Sequence, residues 1–368
     1  MAHVKKRGEK WLAVYIGADG REHSRTFAKS AEARRWGADQ EAAVRRGDWL
    51  NPSLARMATG EWVTRWWAQT QDNRESTRER DKGYVNRYIL PAFGDAPLGS
   101  LSHSMVQAWV AGLTERGLAP ATVVKAFQIL NKIAAAAVLD KRIATNPCAG
   151  VRLPKVEREE QRFLSPAEVA RLADAIHPRY RALVLVGAWG GLRAGELVAL
   201  RRASVDPLRR KVAVVETITE VSGRLVHRAG AKTNAGRRSV SLPAPIMAEL
   251  VAHMERWSGA ELVFTAPGGG PIRLASWRRR FWNPAVAAAG VEPFRVHDLR
   301  HTGAALAVAS GAKPLEVARR LGHTSVSFCL DRYGHLFPEA EDEVADRLGA
   351  LIVAPEADAE VVAIRKAE

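Results

Sequence analysis

The sequence predicts a mainly α, multidomain protein in which helices carry most of the chain and small antiparallel sheets occur at two places. Three observations lead there. A chain of 368 residues is long for one core, and its 47% hydrophobic content can fill two or three. Apolar residues recur at helical spacing over residues 57–144 and over most of 163–345. Short alternating segments bounded by turn residues occur at residues 4–27 and 211–242.

The first unit, residues 1–50, begins with an alternation that sets Trp11, Ala13 and Tyr15 on one face, turns at Asp19-Gly20, and becomes helical from Ser30 to about Arg46. Lys5, Lys6, Arg7, Lys10, Arg21 and Arg25 decorate the strands. Two readings of them stand: the sheet lies against DNA with Trp11 and Tyr15 interleaved, or the charges solvate the outside of a minimal core. Residues 57–144 read as all helix, with Trp62, Trp66 and Trp67 in one segment, then helices at 84–90, 104–116 and 120–139, punctuated by Pro91 and Gly117. Aromatic residues at this spacing favour a packed core over a base-stacking platform. Residues 145–162 combine prolines with a run of charge and form a linker.

Ser165-Pro166-Ala167-Glu168 then has the form of a helix start, with proline in the first turn and a glutamate three residues after the cap. The unit it opens, residues 163–345, is helical around a β insertion: strands at 211–219, 225–227 and 237–242, with turns at Ser222-Gly223 and Thr233-Asn234-Ala235-Gly236. Residues 346–368, rich in Ala, Val and Glu, read as a short helix or a tail.

Composition narrows the function. A formal net charge of +15 calls for a polyanionic partner, because such a field concentrates nucleic acid and gives affinity regardless of base sequence. The two cysteines, Cys148 and Cys329, lie far apart, which argues against a disulfide framework or a zinc knuckle and fits a reducing cytoplasm. The basic N-terminal residues have no continuous apolar segment behind them, unlike a signal peptide, and apolar runs such as 182–189 and 133–139 are too short to span a bilayer.

Four short segments carry candidate chemistry. In Gly191-Leu192-Arg193-Ala194-Gly195-Glu196-Leu197, Arg193 emerges at a Gly-Gly turn after an apolar stretch. Its planar fork suits two parallel hydrogen bonds to phosphate oxygens, and Glu196 one helical turn on can orient it. In His297-Asp298-Leu299-Arg300 the histidine and arginine share a helix face beginning near Val296. His301, four residues from His297, also allows a metal-site reading, a weak one because no third ligand is evident. Leu321-Gly322-His323 and Arg332-Tyr333-Gly334-His335 complete the set, Tyr333 lying ten residues after His323. Breaking a phosphodiester needs a nucleophile, cations for the developing charge, a proton donor for the leaving oxygen, and positioning.

Taken in order, these motifs resemble the active site of the tyrosine recombinases of the phage integrase family. The resemblance spans Arg193 to Tyr333 and extends to the other two units only in their organisation. It implies that residues 57–144 are a helical core-binding domain of SAM-like type, that residues 1–50 bind arm-type DNA sites, and that residues 163–345 are the catalytic domain. It also implies that Tyr333 is the nucleophile, that Arg193, Arg300 and His323 stabilise the transition state, and that His297 manages protons. Lys232, on the β-hairpin, would protonate the leaving 5′ oxygen; Lys211 on a neighbouring strand is the other lysine in that region.

A homotetramer on double-stranded attachment sites follows from the same resemblance, with an excisionase or host DNA-bending protein as a possible partner and no metal, nucleotide or other cofactor. Three alternatives remain at this point. They are a resolvase of chromosome or plasmid dimers, a type IB topoisomerase, and a non-enzymatic regulator whose helix-turn-helix spans residues 314–333.

Overall fold

The computed structural model describes residues 2–70, 74–157, 162–229, 238–257, 261–323, 325–337, 345–346 and 348–349. The chain divides into two compact units, Met1–Arg158 and Glu159–Glu368.

The first unit begins with a three-stranded antiparallel meander, β1 (His3–Arg7), β2 (Lys10–Ile16) and β3 (Glu22–Phe27), backed by helix α1 (Ser30–Arg46). Asp19 shapes the β2–β3 turn by accepting the backbone N–H of Arg21, and α1 ends at Gly47, whose φ of 78° is a left-handed cap. Ala13, Val14 and Tyr15 are buried. The Trp49 indole N–H donates to Tyr15 Oη at 2.9 Å, and the Trp36 ring meets Tyr15 edge-on. Tyr15 is therefore a core residue, which corrects the reading that placed it against DNA. Lys5, Lys6, Arg7, Lys10, Arg21 and Arg25 are all exposed.

The helical part of this unit comprises α2 (Thr59–Gln69), α3 (Glu75–Tyr84), α4 (His103–Glu115) and α5 (Pro120–Leu139). After α3 the chain passes through a wide π-turn, Val85–Ile89, into a last helical turn, Leu90–Phe93. Pro91 is thus inside a helical run; the wider turn accommodates a residue with no N–H to give. Gly117, with φ of 75°, does end α4. Trp62 is the core anchor, its indole N–H donating to the Ile133 carbonyl at 3.0 Å, while Trp66 and Trp67 are half-buried and pack on each other. At 20 residues α5 exceeds the apolar run read from sequence, and by length and composition alone it could cross a membrane. Its Val123, Phe127, Leu130 and Ile133 instead build the core of this unit.

The second unit opens with α6 (Pro166–Ala175), whose Ser165–Glu168 capping box forms as the sequence predicts. Helix α7 (Arg181–Gly190) is apolar nearly all round and is buried at the centre of the unit. Then come α8 (Ala194–Leu197), the three-stranded sheet β4 (Val205–Asp206), β5 (Lys211–Val214) and β8 (Arg238–Ser241) in the order β4-β5-β8, and the hairpin β6 (Glu216–Val221) and β7 (Arg224–Ala229). The single strand expected over 211–219 is split at Val215 between these two sheets. Ser222 and Gly223 close the hairpin with φ of 48° and 75°, the left-handed pair a tight turn requires.

Helices α9 (Ala244–Arg256), α10 (Asn283–Ala288), α11 (Asp298–Ala309), α12 (Pro314–Leu321) and α13 (Val326–Tyr333) complete the unit. Lys232, the turn expected at residues 233–236, and residues 350–368 of the tail lie outside the described residues.

Candidate active site

The site is organised by the ends of helices. Helix α7 stops at Gly191, which takes φ of 66°, and the chain re-enters helix at Ala194 with Arg193 as the N-cap of α8. Helix α12 stops in the same way at Gly322, φ of 67°, where the His323 N–H bonds back to the Ala318 carbonyl and the Gly322 N–H to Arg319. This six-to-one closure fixes the direction in which His323 leaves the helix.

Two guanidinium groups hold the carbonyls that α12 leaves free at its C-terminus. Arg300, only 3% exposed, donates from Nη2 to the Leu321 carbonyl at 2.7 Å and from Nη1 to the Gly191 carbonyl at 2.9 Å. Arg193 donates from Nη2 to the Gly322 carbonyl at 3.4 Å. Cations are favoured at a helix C-terminus, and here the two are thereby brought beside His323. Burial pushes the Arg300 guanidinium down to about 9, with the Arg193 charge adding to the effect, so it remains charged at neutral pH.

Glu196 anchors the arginines. It is buried and accepts hydrogen bonds from Arg193 Nη1 at 2.7 Å and the Arg193 backbone N–H at 2.9 Å, and from Arg238 Nη1 and Nη2 at 3.1 and 2.8 Å. Burial pushes its carboxyl up, but the hydrogen bonds and charges of Arg238 and Arg193 outweigh that and hold it at about 2. Arg238 also donates from Nε to the Arg320 carbonyl at 2.8 Å, joining β8 to α12.

Tyr333, at the end of α13, is 1% exposed. Its Oη lies 2.7 Å from His301 Nδ1, and the His301 Nε2 faces Arg332 Nη2 at 3.3 Å. The His323 ring lies parallel to the tyrosine ring, centroids 6.3 Å apart, and its Nδ1 is buried with no hydrogen-bond partner among the described residues. Burial, together with the charges of Arg300 and Arg193, holds the His323 imidazole at about 4 and therefore neutral. His297 sits exposed at the start of α11, edge-on to His301 at 4.9 Å. Burial pushes the Tyr333 phenol up, while Arg300, Arg332 and Arg193 pull it down.

Of the residues picked out in the sequence, Arg193, Arg300, His323 and Tyr333 come together here and His297 stands at the rim; Lys232 lies outside the described residues. The metal-site reading of His297 and His301 is replaced, since Tyr333 and Arg332 engage both ring nitrogens of His301. No metal-holding group of three or more His, Cys, Asp or Glu occurs among the described residues.

Sequence reasoning missed two participants. Arg238 shares a strand face with buried Val240, and a basic residue at a core-facing position was the available signal. His301 was read only against His297, not against the distant Tyr333.

Backbone proximity sets the spacing of the arginines. A Cβ on Gly303 of α11 would lie 2.6 Å from the Ala188 carbonyl oxygen and 2.9 Å from Gly191 Cα. Gly303→Ala is expected to cost about 1–3 kcal/mol through overpacking against backbone that cannot yield locally. Because that backbone leads to Arg193, DNA cleavage should fall with stability. Urea denaturation and a cleavage assay check both effects.

Such a fold, with paired arginines, a histidine and a buried tyrosine around one point, defines an enzyme that breaks and rejoins DNA by way of a tyrosine. The phage integrase family model matches residues 162–340, and the model for the phage integrase N-terminal SAM-like domain matches residues 60–114. The chain is 30% identical to the putative prophage phiRv2 integrase of Mycobacterium tuberculosis strain H37Rv, across 93% of each chain. It is 31% identical to the integrase of Mycobacterium phage L5, across 89% of this chain and 90% of that one.

Among solved structures it resembles the Tn1549 transposon integrase in complex with a circular intermediate DNA, with TM-score 0.69 and 17% identity over 80% of this chain and 99% of that one. A lambda integrase tetramer bound to a Holliday junction gives TM-score 0.59 at 17% identity over 92% and 95%. The chain belongs to the phage integrase family. It is a site-specific tyrosine recombinase that integrates or excises a phage or other mobile element.

Proposed function

We propose that Tyr333 attacks the scissile phosphate, forming a 3′-phosphotyrosyl bond as the phosphorus–O5′ bond breaks. Arg193 and Arg300 bind the non-bridging oxygens as charge develops on them, and neutral His323 donates one further hydrogen bond. His297 assists proton transfer at the rim. Lys232 gives the leaving 5′ oxygen its proton, and the phenol proton goes to solvent. The hydroxyl of the partner strand then attacks the phosphotyrosine, so the bond energy is kept without a nucleotide, and a second round resolves the Holliday junction.

The observation that carries this reading is the placing of two guanidinium groups on the carbonyls of Leu321 and Gly322, directly before His323, whose ring lies parallel to that of Tyr333. Residues 163–345 act as the catalytic domain and residues 57–144 as the core-binding domain. Residues 1–50 offer the exposed Lys5, Lys6, Arg7, Lys10, Arg21 and Arg25 to arm-type sites, and residues 346–368 form the tail. Four copies act on two double-stranded attachment sites, with an excisionase or host DNA-bending protein setting direction, in a reducing cytoplasm that suits two free, buried cysteines.

The test incubates the wild-type chain with DNA flanking its own gene, with divalent metal chelated throughout, and quenches in denaturant. Expected are a covalent protein–DNA adduct and, with both sites present, joined products. Specific binding with neither product would point to a non-enzymatic regulator. Relaxation of supercoiled DNA by monomer, without a specific site, would point to a topoisomerase.

A further inference from the structure

Among the described residues, His301 is the one buried side chain in direct polar contact with the Tyr333 oxygen, and the mechanism above leaves it without a task. Its geometry fixes which way that hydrogen bond runs. A guanidinium can only donate, so the Arg332 Nη2–H directed at His301 Nε2, 3.3 Å away, requires a lone pair on that nitrogen. A neutral imidazole with a bare Nε2 carries its proton on Nδ1. The Nδ1–H therefore donates to Tyr333 Oη across 2.7 Å, and the phenol's own proton must point away from His301.

We propose that His301 is a catalytic donor to the Tyr333 oxygen, locked in the Nδ1–H tautomer by Arg332, which holds the phenol in place and stabilises the phenolate that attacks phosphorus. The proposal deepens the reading of Tyr333 as nucleophile and rests on it. In this tautomer His301 has no lone pair facing the phenol and does not take its proton. When the phenol ionises, its proton passes to solvent and the Nδ1–H···O contact becomes a hydrogen bond to an anion, roughly twice as strong as the neutral one. The need for such a donor is visible in the surroundings, since burial alone disfavours the charged phenolate.

The groups facing this pair come from every element around it. His297 precedes α11 at its N-cap and Asp298 and Arg300 lie on it, Cys329 and Arg332 on α13, Arg193 at the start of α8, and His323 after α12. Burial, with His297 and Arg332 adding to it, holds His301 at about 4, and His323 is also at about 4. Neither imidazole changes charge above about pH 6, so the alkaline side of a rate profile there reports chiefly on the phenol.

The experiment measures single-turnover formation of the covalent adduct on a nicked core-site duplex between about pH 6 and about pH 10, a range that lies above the titration of both imidazoles and reaches the ordinary tyrosine value. Wild type, His301→Ala, His301→Asn and Tyr333→Phe are compared, with duplex binding by anisotropy as the check on folding. The Asn amide N–H takes the place of Nδ1–H but cannot act as a base. His301→Ala is expected to lose about 10- to 100-fold in rate near neutral pH, the range for a hydrogen bond to a charged group. The loss should shrink as pH rises, because the variant's profile is displaced to higher pH, and His301→Asn should recover most of the rate.

A uniform loss at every pH in His301→Ala, or a His301→Asn chain as slow as His301→Ala, would overturn the proposal in favour of simple packing or of a general base. Should wild type form no adduct, or Tyr333→Phe form one, the assignment of Tyr333 itself fails, an outcome separate from the others.

Discussion

Tyr333→Phe is expected to keep its fold and its DNA affinity while losing adduct formation to the limit of detection. The substitution removes one oxygen from a ring that is 1% exposed and stacked beside His323, so its volume and aromatic packing persist. What is lost is the oxygen proposed as the nucleophile. Stability should fall without loss of the fold: His301 Nδ1–H is left without its partner, which costs about 1–3 kcal/mol for a buried donor. Gel separation under denaturing conditions, anisotropy on the same duplex and a thermal melt read the three quantities. A Tyr333→Phe chain that still forms adducts would remove the basis of the mechanism.

The second large effect falls on stability and activity together. Glu196→Ala is expected to cost about 3–5 kcal/mol, the range for breaking one side of a buried ion pair, because it strands the Arg238 guanidinium, whose side chain is 6% exposed. Cleavage should fall as well, since Arg193 loses the carboxylate that orients its fork. The pH dependence has a definite sign. The Glu196 carboxyl goes from its ordinary 4.5 to about 2 in the folded chain. A depressed carboxyl contributes stability above pH 4.5 that is lost as pH falls through about 2, on the order of 3 kcal/mol for this shift. Urea midpoints for wild type and Glu196→Gln at neutral and acid pH measure it. The wild type should lose more stability than the variant between the two, and parallel behaviour would contradict the ion-pair account.

Much of the site was legible because its parts are local. Arg193 follows a glycine turn, Glu196 lies one helical turn away, and His297 and Arg300 share a helix face, while His323 and Tyr333 came forward through the resemblance of the ordered motifs to the phage integrase family. The Ser165–Glu168 cap and the tight turn at Ser222-Gly223 were readable because they too are local. Contacts spanning the chain were not. His301 meets Tyr333 32 residues on, and Arg238 meets Glu196 42 residues back. No local period encodes either pairing.

Tyr15 shows a different limit. On a strand, alternation gives two faces but does not say which one a helix will cover, and α1 and Trp49 enclose the face that a DNA-binding reading needed outside. Pro91 reads as a helix end only if the preceding turn is α; the π-turn at Val85–Ile89 lets the helix continue past it.

The most direct measurement of the central claim is to digest the trapped protein–DNA adduct with nuclease and protease and to locate the phosphate-bearing peptide by mass spectrometry. The chain contains five tyrosines, so the outcome is discrete. The account predicts the modification on Tyr333, in the peptide following Arg332. A phosphate carried by Tyr15, Tyr84, Tyr88 or Tyr180, or by a residue other than tyrosine, would contradict it.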